Sequence, residues 1–427
     1  MWRRLLSGYR FACRTLRAGR LDPADRARLQ RWLRPTPSAL SAADGSVDYS
    51  RLPSLAAPQS DCPDVFVWAV IDWHFRTQRP QHLAAALAQK GHRVFYISNN
   101  FADQAAAGFS VEALDAQARL FQINLNLAGA PQIYQAMPNP AQQQALAASL
   151  QVLLGWTGSR RAISLVQHPY WLPLARWDAQ TRLVYDCMDH HGGFEDNASD
   201  ILSGEQQLIA DSDLLVVTSQ WLHEQLSDKA RKVVMVRNAT EYQHFCQRPQ
   251  QVFVDPQGRQ VIGYYGALAE WFDVPLLREV ALANPQALVL MVGRDTAGVA
   301  AQLADVANIR FVGEVAYAEL PYWLYGFDVC LMPFRVIPLT LATNPVKVYE
   351  YLSAGKPVVS VDLPELAQFE GLVRLASDHA GFVAQVQQAL QEPKDDLQQP
   401  QARREFASRQ TWSQRAEVLD QALRALS

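Results

Sequence analysis

Residues 344–359 read Asn344-Pro-Val-Lys-Val-Tyr-Glu-Tyr-Leu-Ser-Ala-Gly-Lys-Pro-Val-Val359 and predict a helix that leads into a buried strand. Asn344 is a favourable N-cap, and Pro345 suits the first position of a helix. Gly355 stands where a left-handed residue often ends a helix. Residues 357–361, which are apolar except for Ser360, then predict a strand. The stretch therefore predicts a helix of about three turns followed by a strand of a parallel sheet, which is typical of an α/β fold.

Two charged side chains of this helix indicate a ligand. Lys347 lies in the first turn, where a cation opposes the helix dipole by about 0.3–1 kcal/mol. A bound anion would remove that cost, because free N–H groups and Lys347 would both face it. Glu350 lies one turn further along the same face, within reach of hydroxyls attached to the anion. A phosphate followed by a polyol describes a nucleoside diphosphate and its ribose; the alternative is an ordinary Lys–Glu pair on a helix surface.

The composition limits the class of protein. The chain has 427 residues, of which 49% are hydrophobic and 19% charged, so it predicts two or three globular domains. A net charge of −3 argues against a general nucleic-acid binder. The five cysteines are scattered and show no C-x-x-C spacing, which favours a reducing compartment, the cytoplasm, without structural zinc. No apolar run is long enough to span a membrane.

The first 34 residues differ from the rest of the chain. They contain ten arginines opposed only by Asp22 and Asp25. Apolar and aromatic residues recur among the arginines at helical spacing, which predicts a basic amphipathic helix lying on a membrane surface. A solvated tail, a helix packed on its own domain and an organelle transit peptide are the alternatives. Residues 35–60, rich in Pro, Ser and Ala, predict a linker.

From residue 61 onward, apolar strands alternate with helical patterns in two series. A polar, irregular stretch at 237–256 separates them, so we predict an N-terminal Rossmann-like domain over 61–245 and a C-terminal one over 246–400. Residues 401–427 predict a helix that packs back towards the N-terminal domain. No G-x-G-x-x-G joins the first strand to its helix, which argues against a dinucleotide there.

Several ordered motifs resemble a known family. They are Tyr264-Tyr-Gly-Ala-Leu-Ala-Glu-Trp-Phe-Asp273, Phe311-Val-Gly-Glu314, Phe327-Asp-Val-Cys-Leu-Met-Pro-Phe334, Arg79-Pro-Gln-His-Leu-Ala84, Val184-Tyr-Asp-Cys-Met-Asp189 and the stretch 344–359. Together they resemble the GT-B glycosyltransferases of group 1, in particular the family-4-like set that includes teichuronic-acid-type enzymes. A weaker similarity is to glucuronosyltransferases of exopolysaccharide assembly. The resemblance implies two Rossmann-like domains facing across a cleft. It does not extend to the first sixty residues.

The resemblance also implies roles for individual residues. A nucleotide sugar would bind in the C-terminal half, with Lys347 at the diphosphate and Glu350 at the ribose. Gly266 and Ala267 would bring backbone N–H groups to the phosphates, and Arg294 would add charge. Many family-4 enzymes carry a further glutamate eight residues before the one matching Glu350, where this chain has Ala342. Thr343 or Asn344 could replace it through the backbone or the side chain, and the stereochemistry of transfer stays open.

An inverting transfer needs a general base on the acceptor side. Asp189 is the first candidate, with Asp186 and His168 behind it, because all three lie at or beyond the carboxyl ends of predicted strands. A retaining transfer needs no protein base, and His168 could then bind the donor sugar. The acceptor-side candidates are His74, Arg79 and His82. Each of these residues is otherwise a cap, turn or packing residue.

Two short motifs imitate metal sites. Asp189-His190-His191 resembles a phosphoesterase motif but lacks the upstream acidic ligands, and Asp211-Ser-Asp213 stands where a turn is expected. We therefore predict neither a metal nor a cofactor. The sequence favours a cytoplasmic glycosyltransferase that moves a sugar, most simply from a UDP-sugar, to a glycan or polyprenyl-linked acceptor of a cell-surface polysaccharide. A non-catalytic nucleotide-sugar- or glycan-binding subunit is the alternative, and a metal-dependent phosphoesterase is the third hypothesis.

Overall fold

A computed structural model describes residues 36–193, 198–369, 371–393 and 397–426. The predicted basic helix of residues 1–34 lies outside the described residues. Two compact units divide the described chain. The first comprises 36–183 and 198–205, and the second comprises 184–193 and the described residues from 206 to 426.

The first unit is built on a sheet whose central strands are parallel. Its strands are β1 (Ser38–Leu40), β2 (Asp64–Trp68), β3 (Val94–Ile97), β4 (Gly108–Ala113), β5 (Leu120–Leu125) and β6 (Ala162–Val166). They lie in the order β1-β4-β5-β3-β2-β6. The β2, β3, β5 and β6 pairings are parallel, and β4 pairs antiparallel with β5 and β1. The helices are α1 (Arg79–Gln89), α2 (Pro140–Thr157) and α3 (Leu172–Ala175).

The prediction that residues 35–60 form a linker is partly wrong. Ser38–Leu40 forms the edge strand β1, and the Tyr49 hydroxyl donates to the carbonyl of Val152 in α2 at 2.9 Å. Ala39 is buried because alternation along β1 turns this small apolar side chain towards the sheet. Part of the stretch that looked like a connector is therefore packed onto the first unit.

The second unit contains two sets of parallel strands. The first set is β7 (Arg182–Cys187), β8 (Leu214–Val217) and β9 (Val233–Met235), paired in that order. The second is a six-stranded sheet in the order β12-β11-β10-β13-β14-β15. Its strands are β10 (Val261–Tyr265), β11 (Leu288–Val292), β12 (Ile309–Gly313), β13 (Val329–Met332), β14 (Val358–Val361) and β15 (Val373–Ala376), all parallel.

Helices follow most of these strands, and the first of these helices begins in residues of the first unit. They are α4 (Ser199–Asp211), α5 (Gln220–Leu226), α6 (Tyr242–Cys246), α7 (Val274–Ala283), α8 (Val299–Gln302), α9 (Leu320–Leu324), α10 (Pro338–Leu341), α11 (Val346–Ser353), α12 (His379–Leu390), α13 (Gln398–Ser408) and α14 (Trp412–Arg424). The strands of the six-stranded sheet are mostly continuous apolar runs, because helices cover a parallel sheet on both faces. The α/β prediction is confirmed.

Candidate active site

Helix α11 begins at Val346 instead of Pro345, and its eight residues make about two turns instead of three. Pro345 occupies the N-cap position, and no side chain caps the helix. The prediction that Asn344 is the N-cap is therefore wrong. The helix ends as predicted, with Gly355 at φ 76°. The N-cap residue of α11 thus supplies no side-chain oxygen to the first turn of the helix.

Asn344 is instead the centre of a buried hydrogen-bond network. Its Oδ1 accepts from the backbone N–H of Asn238 at 2.8 Å, and its Nδ2 donates to the Tyr349 hydroxyl at 3.1 Å and to Glu365 Oε1 at 2.9 Å. The Asn238 side chain donates in turn to the Asn344 carbonyl at 2.7 Å. The amide of Asn344 is fully used in these contacts, so it positions the start of α11.

Glu365 anchors the other side of this network. Its carboxylate accepts from Arg237 Nε at 2.6 Å and from the backbone N–H of Gln220, the first residue of α5, at 2.8 Å. The Glu365 side chain is 1% exposed and the Arg237 side chain 32% exposed, so the carboxylate is shielded from solvent while its partner reaches the surface. The network therefore ties the segment after β9 and the start of α5 to the residue that precedes α11.

Lys347 lies against the loop that follows β10. Its Nζ is 5.9 Å from the centroid of the Tyr264 ring. Gly266 has φ 140°, and a Cβ added there would collide with the Cε of Lys347 and the hydroxyl of Tyr264. Only glycine lets the loop and the lysine side chain come this close. The structure thus brings Gly266 and Lys347 together, as the sequence predicted.

A second glycine completes the same loop. A Cβ on Gly293 would collide with the Gly266 carbonyl, and the Gly266 N–H donates to Val292 O at 2.8 Å. The carbonyl of Arg294 accepts from Leu268 N–H at 2.9 Å, while the residue itself is exposed. The main chain of Arg294 therefore supports the loop. A cationic role for its guanidinium remains a prediction.

Glu350 is buried next to this loop. The Tyr265 hydroxyl donates to Glu350 Oε2 at 2.7 Å, and Glu350 is 7% exposed. Burial raises the pKa of Glu350 to about 7, while the hydrogen bond from Tyr265 and the charge of Lys347 act in the opposite direction. The carboxyl group therefore changes charge near neutral pH, which is characteristic of a functional site.

A further carboxylate lies close to Glu350. The Tyr317 hydroxyl donates to Glu241 Oε2 at 3.2 Å, and the rings of Tyr317 and His244 stack at 4.7 Å. Burial raises the pKa of Tyr317, with the nearby charges of Glu350 and Glu241 adding to the effect. Tyr265, Glu241 and Tyr317 were missed by the sequence analysis. The signal was available for Glu241, because polar residues beyond the carboxyl end of β9 follow the same rule that was used for Asp189.

Ala342 leaves no carboxylate at the position of the family's further glutamate. Ala342 is fully buried at the end of α10, and the Thr343 hydroxyl donates to the Leu339 carbonyl at 2.8 Å. The side-chain groups of Thr343 and Asn344 are thus both engaged in hydrogen bonds within the protein. Replacement of the glutamate by either residue stays a prediction.

The candidate bases occupy different environments. Asp186 lies within β7 and is 0% exposed, whereas Asp189 lies two residues beyond that strand and is partly exposed. Gly193 packs against the backbone of Leu339 in α10, where an added Cβ would lie 3.2 Å from the Leu339 Cα. This contact joins the 189–193 segment to the helix that precedes Ala342. In the first unit, His168 is 0% exposed and its Nδ1 accepts from the Tyr170 N–H at 3.2 Å.

The acceptor-side candidates all lie in the first unit. His74 Nε2 is 2.8 Å from Glu112 Oε2. Arg79, the first residue of α1, is 3% exposed, and His82 is half-buried one turn later. Burial of Arg79 favours a packing role, while His74 lies in the loop that follows β2.

Neither metal-like motif gathers a ligand set. Within the described ranges, no three His, Cys, Asp or Glu side chains are arranged to hold an ion. Burial and the neighbouring His190 lower the pKa of His191 to about 4. None of the helices in the part of the chain that the structure covers is both long and apolar enough to cross a bilayer.

Residues 259–392 match the family described as Glycosyl transferases group 1. That range contains β10 to α12, with the Gly266 loop, Lys347 and Glu350. This part of the chain is therefore similar to glycosyltransferases of group 1. The two sets of parallel β/α units agree with the predicted GT-B fold, which the solved structures described next confirm.

Individual relatives agree with this class. Over 265 residues the chain is 29% identical to TuaH of Bacillus subtilis (strain 168), whose name is teichuronic acid biosynthesis glycosyltransferase; the match covers 56% of this chain and 65% of TuaH. Sucrose-phosphate synthase from Thermosynechococcus elongatus superposes with a TM-score of 0.67 at 16% identity, over 86% of this chain and 99% of that one. Anabaena HepE, solved with UDP and glucose, gives 0.60 at 14% identity, over 85% and 100%.

Proposed function

We propose that the chain is a glycosyltransferase that moves a sugar from a nucleoside diphosphate sugar to a glycan or lipid-linked acceptor in cell-surface polysaccharide synthesis. The observation that carries this proposal is the position of Lys347 against the Gly266 loop, with the buried carboxyl of Glu350 one turn further along α11. The name of TuaH supports the polysaccharide, and the UDP bound to HepE supports a UDP-sugar as donor.

The diphosphate would bind at the first turn of α11. The Lys347 ammonium and the helix dipole at the first turn provide positive potential on one side, and the glycine loop allows close approach on the other. Glu350 accepts hydrogen bonds from the ribose hydroxyls. When the acceptor oxygen attacks the anomeric carbon, the bond to the diphosphate breaks and its electron pair leaves with the phosphate. Lys347 and the helix N-terminus stabilise that charge without a bound cation, so chelators should leave transfer unchanged.

The acceptor hydroxyl must lose its proton. In an inverting transfer Asp189 receives it, because Asp189 is partly exposed on a segment joined to α10, whereas Asp186 is fully buried in β7. Neither replacement for the family's further glutamate is free, which favours this route over a retaining one. The anomeric configuration of the product, read by NMR, decides between them.

Residues 1–34 would hold the enzyme on the inner face of the membrane, near a polyprenyl-linked acceptor. Ten arginines among aromatic and apolar residues match the chemistry of an anionic lipid surface. The composition of residues 1–34 is the support for this membrane association.

One panel tests the proposed function. Nucleotide release is measured with UDP-, GDP- and dTDP-sugars, with and without added polyprenyl-linked glycans. Release from one nucleotide class, increased by an acceptor, is the expected result. Binding of nucleotide without any release would instead favour the non-catalytic subunit, which the alanine at position 342 also fits.

A further inference from the structure

A cavity of about 480 Å³ opens in the first unit at the carboxyl ends of β3 and β5. Asn99, Asn100 and Phe101 follow β3, and Leu127 follows β5, so the cavity stands where parallel strands expose their ligand-binding edge. The loop from Gly129 to Tyr134 forms its remaining wall. The size is that of a small-molecule site.

One polar atom at this cavity lacks a partner. Asn99 Nδ2 donates to the Val70 carbonyl at 3.0 Å, which fixes the amide group. Asn99 Oδ1 is buried and, within the described residues, accepts no hydrogen bond. A buried amide oxygen that accepts no hydrogen bond favours a ligand that brings a hydroxyl or N–H donor.

The other lining residues combine aromatic rings with neutral polar groups. Phe101 and Tyr134 both line the cavity, and Tyr134 is held by a hydrogen bond from its hydroxyl to the Val70 carbonyl at 2.6 Å. Asn100 and Gln132 add amide groups. Rings that offer an apolar face beside amides suit a sugar ring, which has C–H groups on its faces and hydroxyls around its edge.

The charge of the lining selects among sugars. Asp103 is the single ionisable acid among the described residues that line the cavity, and its lining has no Lys, Arg or His. Asp103 Oδ1 accepts from the Gly129 N–H at 3.0 Å, so the carboxylate is held in the loop. A phosphate or a uronate would meet this negative charge with no cation to offset it.

We propose that this cavity binds the terminal glycosyl unit of the acceptor and that it takes an uncharged sugar in preference to a sugar phosphate or a uronic acid. That the bound sugar belongs to an acceptor rests on the proposed function. The binding of a neutral glycoside can nevertheless be measured without any glycosyl transfer. Asn99 accepts a hydrogen bond from a sugar hydroxyl, Phe101 and Tyr134 contact the ring, and Asp103 excludes anionic sugars.

The test is saturation-transfer NMR on the full chain with UDP present. The probes are the methyl glycosides of glucose, galactose, mannose, N-acetylglucosamine and N-acetylgalactosamine, with glucose 6-phosphate and methyl glucuronide as charged counterparts. We expect saturation transfer from the protein to at least one neutral glycoside and none to the charged counterparts. No transfer to any neutral glycoside, or equal transfer to the charged ones, overturns the proposal.

Three variants test the location of the NMR signal and the selectivity of the cavity. Ala130→Trp fills the cavity and should abolish saturation transfer to the neutral glycoside. Ala128→Trp changes an exposed neighbour outside the lining and should preserve saturation transfer. Asp103→Asn keeps an acceptor for Gly129 and should allow the glucuronide to bind. Retained transfer in Ala130→Trp, or no glucuronide binding in Asp103→Asn, contradicts the site or its selectivity.

UDP binding by the unchanged chain separates the two claims. If UDP binds and no neutral glycoside does, the inference fails while the proposed function stands. If none of UDP, GDP and dTDP binds, the proposed function fails, whatever the glycosides do.

Discussion

Tyr265 donates a hydrogen bond to Glu350 across 2.7 Å, and both side chains are buried beneath the loop that contains Gly266. The hydrogen bond only partly offsets the cost of burying the carboxylate, because the pKa of Glu350 is still raised to about 7. An unfolded chain would ionise this group near its ordinary value of 4.5. Between pH 4.5 and about pH 7, the native protein therefore retains a proton on Glu350 that the unfolded chain has lost.

This difference predicts a pH-dependent stability. The contribution of protonated Glu350 is fully present below the unfolded pKa and is lost as the pH rises through the folded pKa, by roughly 3 kcal/mol in total. Melting temperatures of the wild type and Glu350→Gln, compared at about pH 5 and about pH 8, measure it. The wild type should lose stability relative to the variant at the higher pH. A difference that is independent of pH contradicts the prediction, and the exposed Glu270→Gln serves as control.

The network around Glu365 predicts a positioning effect. Glu365→Gln removes the charge opposite Arg237 and weakens the contact to the Asn344 amide, so the start of α11 should loosen. A charged hydrogen bond contributes roughly 1.5–3 kcal/mol, and we expect a lower melting temperature together with weaker UDP binding. Calorimetry with UDP separates the two effects. A variant that melts early yet binds UDP normally would mean that the network serves stability alone.

Much of this site follows from the sequence, for physical reasons. Lys347 and Glu350 were predicted because helix periodicity fixes which residues share a face, and Gly355 because a helix end needs its backbone conformation. Asn344 was misassigned because its local pattern suits a cap equally well. Only the tertiary contacts with Asn238 and Glu365, more than a hundred and about twenty residues away, show that its amide is used elsewhere.

The partners of Glu350 were beyond the sequence for a similar reason. Tyr265 looks like an apolar strand residue, and its hydroxyl finds Glu350 only once β10 and α11 are packed together. The sequence predicts a linker where β1 forms, because three residues give too short a pattern and the pairing of β1 with β4 is a long-range contact. Local chemistry can thus be predicted here, while tertiary pairing cannot.

Asp189 should act as the base of an inverting transfer. Asp189→Asn removes the proton acceptor with little change of shape, so we expect transfer to fall by about 100-fold or more while UDP affinity is unchanged. Initial rates with a saturating donor measure the effect. Normal transfer by this variant would place the base elsewhere or exclude the need for one.

The N-terminal arginines should bind anionic lipid. Each arginine near such a surface contributes about 1 kcal/mol, so replacing Arg3, Arg4 and Arg10 by Gln should weaken binding to phosphatidylserine vesicles by roughly 100-fold. Sedimentation with vesicles measures this on the full-length chain. A truncation at Asp61 would be a poor alternative, since it removes β1 from the first unit.

The matched control carries the same change in charge elsewhere. Its replaced residues are Arg51, Arg160 and Arg294, which are exposed in the described chain. Vesicle binding that falls equally in both variants would show a nonspecific charge effect and contradict the role of residues 1–34.

The most direct test of the donor site is the affinity of Lys347→Ala for UDP and GDP, measured by calorimetry beside the exposed Lys232→Ala. Removing a charged contact to the diphosphate should weaken binding of the preferred nucleotide by about 10- to 100-fold, corresponding to roughly 1.5–3 kcal/mol, and Lys232→Ala should match the wild type. Unchanged affinity of Lys347→Ala for both nucleotides would contradict the placement of the diphosphate at the first turn of α11.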